Sequence, residues 1–234
     1  MTAEKEKNYY IKKKRMLMRQ FDAALTIGKK ILTDYFGEDK FKELSTKTRE
    51  EFEQLLPQLP YIGGSDNFLN DSLINAAILL PLLRNFEKEG LDFNEIGKLT
   101  YSLYEVFFKV IPTAVEPFSE KYLHVLKKAA QTSKLREYPD DWVYDFVEGD
   151  GATFTYGIDY SECAVCKLYK SQEMGHLMPI VCIADFEDAH IHGYSLKRSQ
   201  TIGNGAPICD FRFNKEETTP KAWPLDNLPE FKSK

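Results

Sequence analysis

The stretch LINAAILLPLLRNF, residues 73–86, is apolar on nearly every side when it is drawn as a helix. Because a helix that is apolar all round must be covered on every face, this stretch predicts a central buried helix. We expect the helix to run from about Asp66 to Glu89, with a kink near Pro81. The other elements of the fold are therefore predicted to pack around it.

Helical spacing of apolar residues continues on both sides of this stretch. One stripe covers residues 17–35, another covers residues 93–110, and a further helix is predicted over residues 119–131. Asp92, followed three residues later by Glu95, has the spacing of a capping box at the start of the second stripe. The N-terminal part of the chain is thus predicted to be helical.

The pattern changes after residue 138. Aromatic residues then alternate with other residues, which is typical of strands, and a helical passage separates two pairs of such runs. The predicted segments are, in chain order, strands near residues 142–146 and 154–158, helices over residues 163–192, and strands over residues 194–201 and 207–213. The last two strands are expected to pair across the turn at residues 203–205, Gly-Asn-Gly.

These patterns together predict an α+β fold with a mainly antiparallel sheet. Residues 1–138 form the helical portion, residues 139–213 form a ββααββ portion that carries the Cys, Asp and Arg motifs, and residues 214–234 form a surface tail. The tail is assigned to the surface because it is rich in Lys, Glu and Pro. We expect the three parts to form one compact unit.

Composition narrows the classes of partner. The chain has 31 Lys and Arg residues against 36 Asp and Glu residues, a net charge of −5, which argues against general nucleic-acid binding. No apolar run reaches the roughly 18 residues of a membrane span, and residues 1–15 lack the apolar core of a signal peptide. We therefore expect a cytoplasmic protein with a small-molecule substrate and neither nucleic acid nor membrane as partner. A chain with 13% aromatic residues can also form a homo-oligomer.

Two groups of residues are more distinctive than the composition. The first is LPYIGGSDN, residues 59–67, directly before the predicted central helix. The second group is Cys163, Cys182 with Asp185, Arg198 with Thr201, Gly205, and the run from Cys209 to Arg212. Taken in order, over about residues 10–213, these motifs resemble those of the L-2-amino-thiazoline-4-carboxylic acid hydrolase family.

The resemblance implies that a cyclic amidine ring is opened by hydrolysis. Water adds at C2 of the thiazoline, the ring C–S bond breaks, and an N-carbamoyl-cysteine is left. Such a reaction needs a base for the water, an acidic group that keeps the amidine protonated, and a cation that holds the substrate carboxylate. The alternative hypothesis is a non-catalytic module of the same fold that binds a small ligand or a metal.

Asp185 is the first candidate for the general base or for the partner of the amidinium. It lies three residues after Cys182, a predicted substrate-binding residue, so on a helix both side chains project from nearly the same face. Apolar neighbours can raise the pKa of such a carboxylate towards neutrality. Without the resemblance, an ordinary exposed helix aspartate is the more common interpretation.

Arg198 and Arg212 are the candidates to bind the substrate carboxylate, since an arginine fork suits a planar carboxylate. Asp210 shares strand parity with Arg212, so both are predicted to lie on the same face of one strand. We include Asp210 among the catalytic candidates and Thr201 among the substrate-binding ones. From spacing alone, the better interpretation is a salt bridge on a solvated face, either between Asp210 and Arg212 or across the strands.

The four cysteines of the chain allow three interpretations. Cys163 is predicted to open a helix, where backbone N–H groups lower a thiol pKa and create a nucleophile, and Cys209 is a second catalytic candidate. The second interpretation is a structural zinc site that adds Cys166 and Cys182, although a second CxxC pair is absent. The third is a set of inert buried thiols. We expect no metal or other cofactor, with zinc as the alternative.

Gly63, Gly64 and Asn67 form a candidate anion-binding turn before the central helix, with backbone N–H groups aimed at a carboxylate. A tight turn capped by Asn67 is the simpler interpretation, and both require a special backbone conformation at the glycines. The predicted pocket lies where the C-terminal sheet meets the helices of residues 163–192, with this turn as its lid.

Overall fold

The computed structural model describes residues 8–111 and 116–231, and its helices and strands occur in two groups. The first group within these residues is helical: α1 (Tyr9–Lys12), α2 (Lys14–Phe36), α3 (Glu38–Leu55), α4 (Asn70–Lys88), α5 (Phe93–Val110) and α6 (Glu120–Ser133). The second group is mixed: β1 (Val143–Glu148), β2 (Tyr156–Glu162), α7 (Ala164–Ser171), α8 (Met178–Cys182), α9 (Ala184–His192), β3 (Ser195–Lys197) and β4 (Cys209–Asn214). The α+β prediction is confirmed.

Helix α4 is the central buried element that its sequence predicts. Leu73, Ala77, Leu80 and Leu83 on it have no exposed surface, and the helix continues through Pro81. It begins at Asn70 rather than Asp66, because the residues before it form a separate turn. The buried faces of the neighbouring helices pack against it and complete a hydrophobic core.

Helix α3 was not predicted, because its apolar stripe is sparse. Its buried positions are Leu44, Thr48, Phe52 and Leu55, so a threonine interrupts the apolar stripe in an otherwise charged sequence. The hydroxyl of Thr48 is satisfied by the carbonyl of Leu44 one turn earlier, at 2.6 Å. Tertiary packing therefore stabilises a helix whose local pattern is weak.

The sheet has four antiparallel strands in the order β1-β2-β4-β3. Strand β4 lies between β2 and β3 and pairs with both, so its side chains alternate between the two faces of the sheet. The pairing of β3 with β4 was predicted, but β3 ends at Lys197 instead of continuing to Thr201. After Lys197 the carboxylate of Asp210 accepts the backbone N–H groups of Ser199 and Gln200, so a side chain takes the place of the backbone partner and the regular strand pairing ends.

The tail differs from the prediction of a surface segment. Thr219, Ala222, Leu228 and Glu230 are buried, the first of them at the edge of the sheet. The hydroxyl of Thr219 accepts the backbone N–H of Leu196 in β3 at 2.7 Å. The tail therefore supplies partners to an edge strand, which would otherwise present unpaired backbone groups.

Trp223 fastens the tail to helix α5. Its indole lies directly on Gly97, so close that a Cβ atom at this glycine would overlap the ring. Only glycine leaves room for this approach, although glycine is a poor residue for a helix interior. None of the helices in the described ranges is both long and apolar enough to span a membrane.

We expect Gly97→Ala to destabilise the fold although alanine favours helices. Overpacking against Trp223 costs about 1–3 kcal/mol and the gain in helix propensity offsets at most about 1 kcal/mol. The free energy of unfolding, measured by urea denaturation, should therefore fall by about 1–2 kcal/mol. Gly175→Ala is the matched control, because its Cβ would meet only Lys170 at an ordinary 3.8 Å. An unchanged stability of Gly97→Ala would show that the tail is not held at this contact.

Candidate active site

A cavity of about 660 Å³ lies between the N-terminal helices and the C-terminal portion. Helices α2, α4 and α5 form one wall, and strands β2 and β4 with helices α7 to α9 form the other. The predicted site residues that line it are Cys163, Cys182, Asp185, Arg198 and Cys209, together with Cys166. A more open depression of about 410 Å³ beside α1 and α3, around Lys14 and Glu53, contains none of the predicted residues.

Cys163 occupies the N-cap position of α7, as its sequence context predicts. Its sulfur accepts a hydrogen bond from the backbone N–H of Cys166, with an N···S distance of 3.5 Å. The hydrogen bond from the Cys166 thiol and those from backbone N–H groups lower the pKa of Cys163, although burial opposes them. The same interaction raises the pKa of Cys166. The thiolate of the pair therefore forms on Cys163.

The two other cysteines are joined through Thr201. The hydroxyl of this buried residue lies 3.6 Å from the sulfur of Cys182 and 3.4 Å from the sulfur of Cys209. The backbone N–H of Ile202 also donates to Cys209, at 3.1 Å. Burial raises the pKa of both thiols. Cys182 and Cys209 are therefore protonated at neutral pH, and Thr201 stands behind them rather than in the cavity lining.

Asp185 lies in α9 and faces the cavity. Half of the side-chain surface of Asp185 is accessible, and this accessible half faces the cavity. Protein surrounds the rest of the side chain. Burial raises the pKa of Asp185 to about 6, with Arg198 acting against the rise and Asp188 adding to it. Cys182, the last residue of α8, lines the same cavity, so the two residues share a wall although a helix boundary separates them.

Arg198 is almost completely buried, with 1% of its side chain exposed. Its Nε and Nη2 groups donate to the two carboxylate oxygens of Glu230 at 2.7 and 2.6 Å. Nη1 donates to Asp185 at 3.1 Å and Nη2 also donates to the carbonyl of Cys182 at 2.9 Å. The guanidinium carbon lies 4.8 Å from the ring centres of both Phe186 and Phe211, so the fork is stacked between two aromatic faces.

Arg212 and Asp210 lie on the other face of strand β4. Cys209 and Phe211 face the cavity, so the alternation of the strand turns Arg212 and Asp210 away from it. Arg212 donates to the carboxylate of Asp159 on the neighbouring strand at 2.6 Å, which is the cross-strand salt bridge that spacing favoured. Asp210 holds the loop after β3. The structure therefore does not bring these two candidates together with the thiols and Asp185.

The turn at Gly63 and Gly64 also lies outside the cavity lining. Both glycines have positive φ angles, +100° and +59°, as a special backbone conformation requires. The amide of Asn67 donates to the carbonyl of Ile62 and to Asp141 and accepts the backbone N–H of Leu69. Asn67 therefore acts as the cap of a tight turn, and the lid is not formed by this segment.

Glu230 is the main site residue that the sequence did not predict. Its side chain is fully buried against Arg198, and burial raises its pKa while Arg198 acts in the opposite direction. No local pattern could have found it, because a single acidic residue in a polar tail has the appearance of a solvated side chain. Tyr104, Tyr160 and Asp188 also line the cavity without having been predicted.

The described part of the chain contains no cluster of side chains that could bind a metal ion. Among residues 8–111 and 116–231, no three His, Cys, Asp or Glu side chains are close enough together to hold one. None of the histidines in these ranges lines the cavity. His190, for example, bonds to the carbonyl of Thr219 in the tail at 2.7 Å.

Comparison with known families assigns the chain to a family. The family model described as L-2-amino-thiazoline-4-carboxylic acid hydrolase matches residues 71–213. This match covers more than half of the sequence, and the chain belongs to that family, which is named for a hydrolase. No curated protein and no solved structure matches the chain. The matched region contains the cysteines, Asp185 and Arg198, whereas Glu230 and the Gly63 turn lie outside it.

We expect Glu230→Ala to lower the free energy of unfolding by about 3–5 kcal/mol, because it leaves a buried guanidinium without its main counterion. Urea denaturation measures the change, and Glu216→Ala on the exposed part of the tail is the matched control, with less than about 0.5 kcal/mol expected. Equal stabilities of the two variants would mean that water, rather than Glu230, compensates the charge of Arg198.

Proposed function

We propose that the protein is a hydrolase that opens a thiazoline or related cyclic amidine ring by adding water at C2. The product is an N-carbamoyl aminothiol, which is N-carbamoyl-cysteine for the substrate in the family's name. The single observation that carries the proposal is the presence of Cys163 and Asp185 on one cavity, with pKa values shifted in the directions that this reaction needs. A small-molecule substrate and a cytoplasmic location stay predictions from the sequence.

Asp185 has the properties of a partner for the amidinium. With a pKa of about 6 it is ionised at neutral pH, and a carboxylate beside a cyclic amidine favours the protonated, electrophilic form of the ring. The same pKa lies close to the working pH, which is the range in which a general base is most effective. Asp185 can thus hold the ring first and accept a proton from water later.

Cys163 is the nucleophile in the covalent form of this mechanism. Its thiolate attacks C2, the ring C–S bond breaks, and the substrate sulfur leaves as a thiolate that takes up a proton. An isothiouronium on Cys163 remains, with both nitrogens still attached to C2. Water, deprotonated by Asp185, then adds to C2 and expels the Cys163 thiolate, so the product is a urea with a free thiol. In the alternative form, the activated water attacks C2 directly.

The pH dependence tests the role of Asp185. If the carboxylate must be ionised, kcat/KM should rise with pH up to about 6, tenfold per pH unit below that value, and then level off. Thiol release from L-2-amino-thiazoline-4-carboxylate measures the rate. Asp185→Asn should lower kcat/KM by about 10²–10⁴-fold, whereas the exposed Asp145→Asn serves as the control. Retention of the acidic limb in an active Asp185→Asn variant would assign the titration to another group.

Cys163→Ser separates the covalent mechanism from direct attack by water. In the covalent form, we expect kcat/KM to fall by roughly 10³-fold or more, because a hydroxyl is a far weaker nucleophile at neutral pH. Cys166→Ser is the matched control on the same helix and should retain most of the activity, because the serine hydroxyl can still donate a hydrogen bond to Cys163. Full activity of Cys163→Ser would eliminate the covalent step and leave Asp185 as the base for water.

Zinc is the alternative that the sequence leaves open: all four cysteines line one cavity, but within the described ranges no three potential ligands lie close enough together to hold a metal ion. Elemental analysis of the purified chain tests this hypothesis. Stoichiometric zinc that is lost in Cys163→Ser would favour a metal site over a nucleophile. A folded, metal-free protein without turnover would instead favour a non-catalytic ligand-binding module.

A further inference from the structure

The size of the cavity is the first observation that bears on the substrate. An aminothiazoline carboxylate is a single five-membered ring with two small substituents, whereas the cavity encloses about 660 Å³. Cavities of roughly 300–1,000 Å³ are those that enclose drug-sized ligands. A ring that reacts at Cys163 and Asp185 therefore leaves most of the cavity empty.

The helical wall of the cavity is largely apolar, although Gln20, Ser72 and Asn75 also line it. This wall, formed by α2, α4 and α5, contributes Leu25, Leu79, Leu82, Leu103, Phe107 and Phe108. Water against such a surface is unfavourable, and an apolar group that displaces it gains free energy in proportion to the area covered. This wall is therefore suited to an apolar substituent of the substrate.

The charge of the lining is the second, independent observation. Within the described ranges, the charged side chains that line the cavity are Asp185, Asp188 and Arg198. Arg198 is the one cation among them, and four of its five N–H groups already donate to Glu230, Asp185 and the Cys182 carbonyl. Two carboxylates, those of Glu230 and Asp185, thus pair with the single guanidinium, and Asp188 adds a further negative charge to the lining, so a carboxylate of the substrate would meet like charge.

The other groups proposed to hold a carboxylate are not in the lining. Arg212 pairs with Asp159 on the opposite face of the sheet, and the turn at Gly63 and Gly64 lies elsewhere. The lining therefore suits a cation at Asp185 and an apolar group opposite it, and it offers an anion little.

We propose that the substrate of this chain is a cyclic amidine that carries an apolar substituent in place of a free carboxylate. The inference rests on the proposed ring-opening function and names the substrate class of the same site. The amidinium pairs with Asp185 next to Cys163, and the substituent lies between α4 and α5, against residues such as Leu79 and Phe107. The negative charges of Asp185 and Asp188 in the lining then stabilise the positive charge of the protonated ring.

A matched pair of substrates tests the proposal: 2-amino-thiazoline-4-carboxylate and its neutral benzylamide. Thiol release gives kcat/KM for both, and we expect the benzylamide to be preferred by about tenfold or more. Binding of the corresponding 2-aminoimidazolines, whose rings have no sulfur to release, is measured by calorimetry and should show the same order. Equal or tighter binding of the carboxylate, or its equal or faster turnover, would overturn the inference.

The two measurements distinguish failure of this inference from failure of the proposed function. If neither thiazoline is hydrolysed but the apolar imidazoline still binds more tightly than its carboxylate, the ring-opening function fails while the ligand preference of the cavity stands. If the thiazolines are hydrolysed and the carboxylate is preferred, the function stands and the inference is wrong.

Two variants test whether residues of the cavity lining determine the preference between the two substrates. Ala24→Phe narrows the apolar wall at α2 and should reduce the preference for the benzylamide by about tenfold, whereas Ala152→Phe on the exposed β1–β2 loop should leave it unchanged. Asp188→Asn removes one negative charge from the lining and should improve binding of the carboxylate imidazoline relative to the apolar one. An unchanged preference in both Ala24→Phe and Asp188→Asn would contradict the assigned positions of the substituent and the charge.

Discussion

The guanidinium of Arg198 lies between two phenylalanine rings, out of contact with bulk water, and the carboxylate of Glu230 balances its charge. A buried charge of this kind is tolerated only when its hydrogen bonds are satisfied, and here four are made to three residues. Those bonds join the end of α8, the start of α9, the segment after β3 and the tail. The position of Asp185 in the cavity follows from this arrangement.

The same ion pair explains the electrostatics of the site. An arginine next to an aspartate usually lowers the pKa of the carboxyl group. Glu230 takes up most of the charge of Arg198, so burial prevails and the pKa of Asp185 rises to about 6. An arginine that the sequence marks as a clamp for the substrate is therefore used to position a carboxylate and to set its proton affinity. The charge of Arg198 is thus paired with carboxylates of the protein itself.

Local sequence patterns predicted those features of the fold that depend on residues close together in the chain. The buried α4, the capping box at Asp92, the N-cap position of Cys163 and the antiparallel pairing of β4 all follow from periodicity or from spacing within a few residues. The thiols, Asp185 and Arg198 line one cavity in the structure, and their chemical roles stay predictions.

Long-range electrostatic partners and close packing could not be predicted in this way. Glu230 is separated from Arg198 by 32 residues, and nothing in the polar tail distinguishes it from its neighbours. The roles of Arg212 and Asp210 depended on which face of β4 lines the cavity. Strand alternation predicts that the two residues share a face, but it does not say which face is buried. Helix α3 was missed because threonine occupies one of its buried positions.

The burial of Glu230 has a consequence for how the chain matures during translation. Arg198 is added to the growing chain before Glu230, so for the time needed to add 32 residues its charge has no permanent counterion. Until then the two hydrogen bonds from Arg198 to the Glu230 carboxylate cannot form. The ion pair behind Asp185 is thus completed by a residue outside the stretch that the family model matches, and in the growing chain it can form only after that residue has been added.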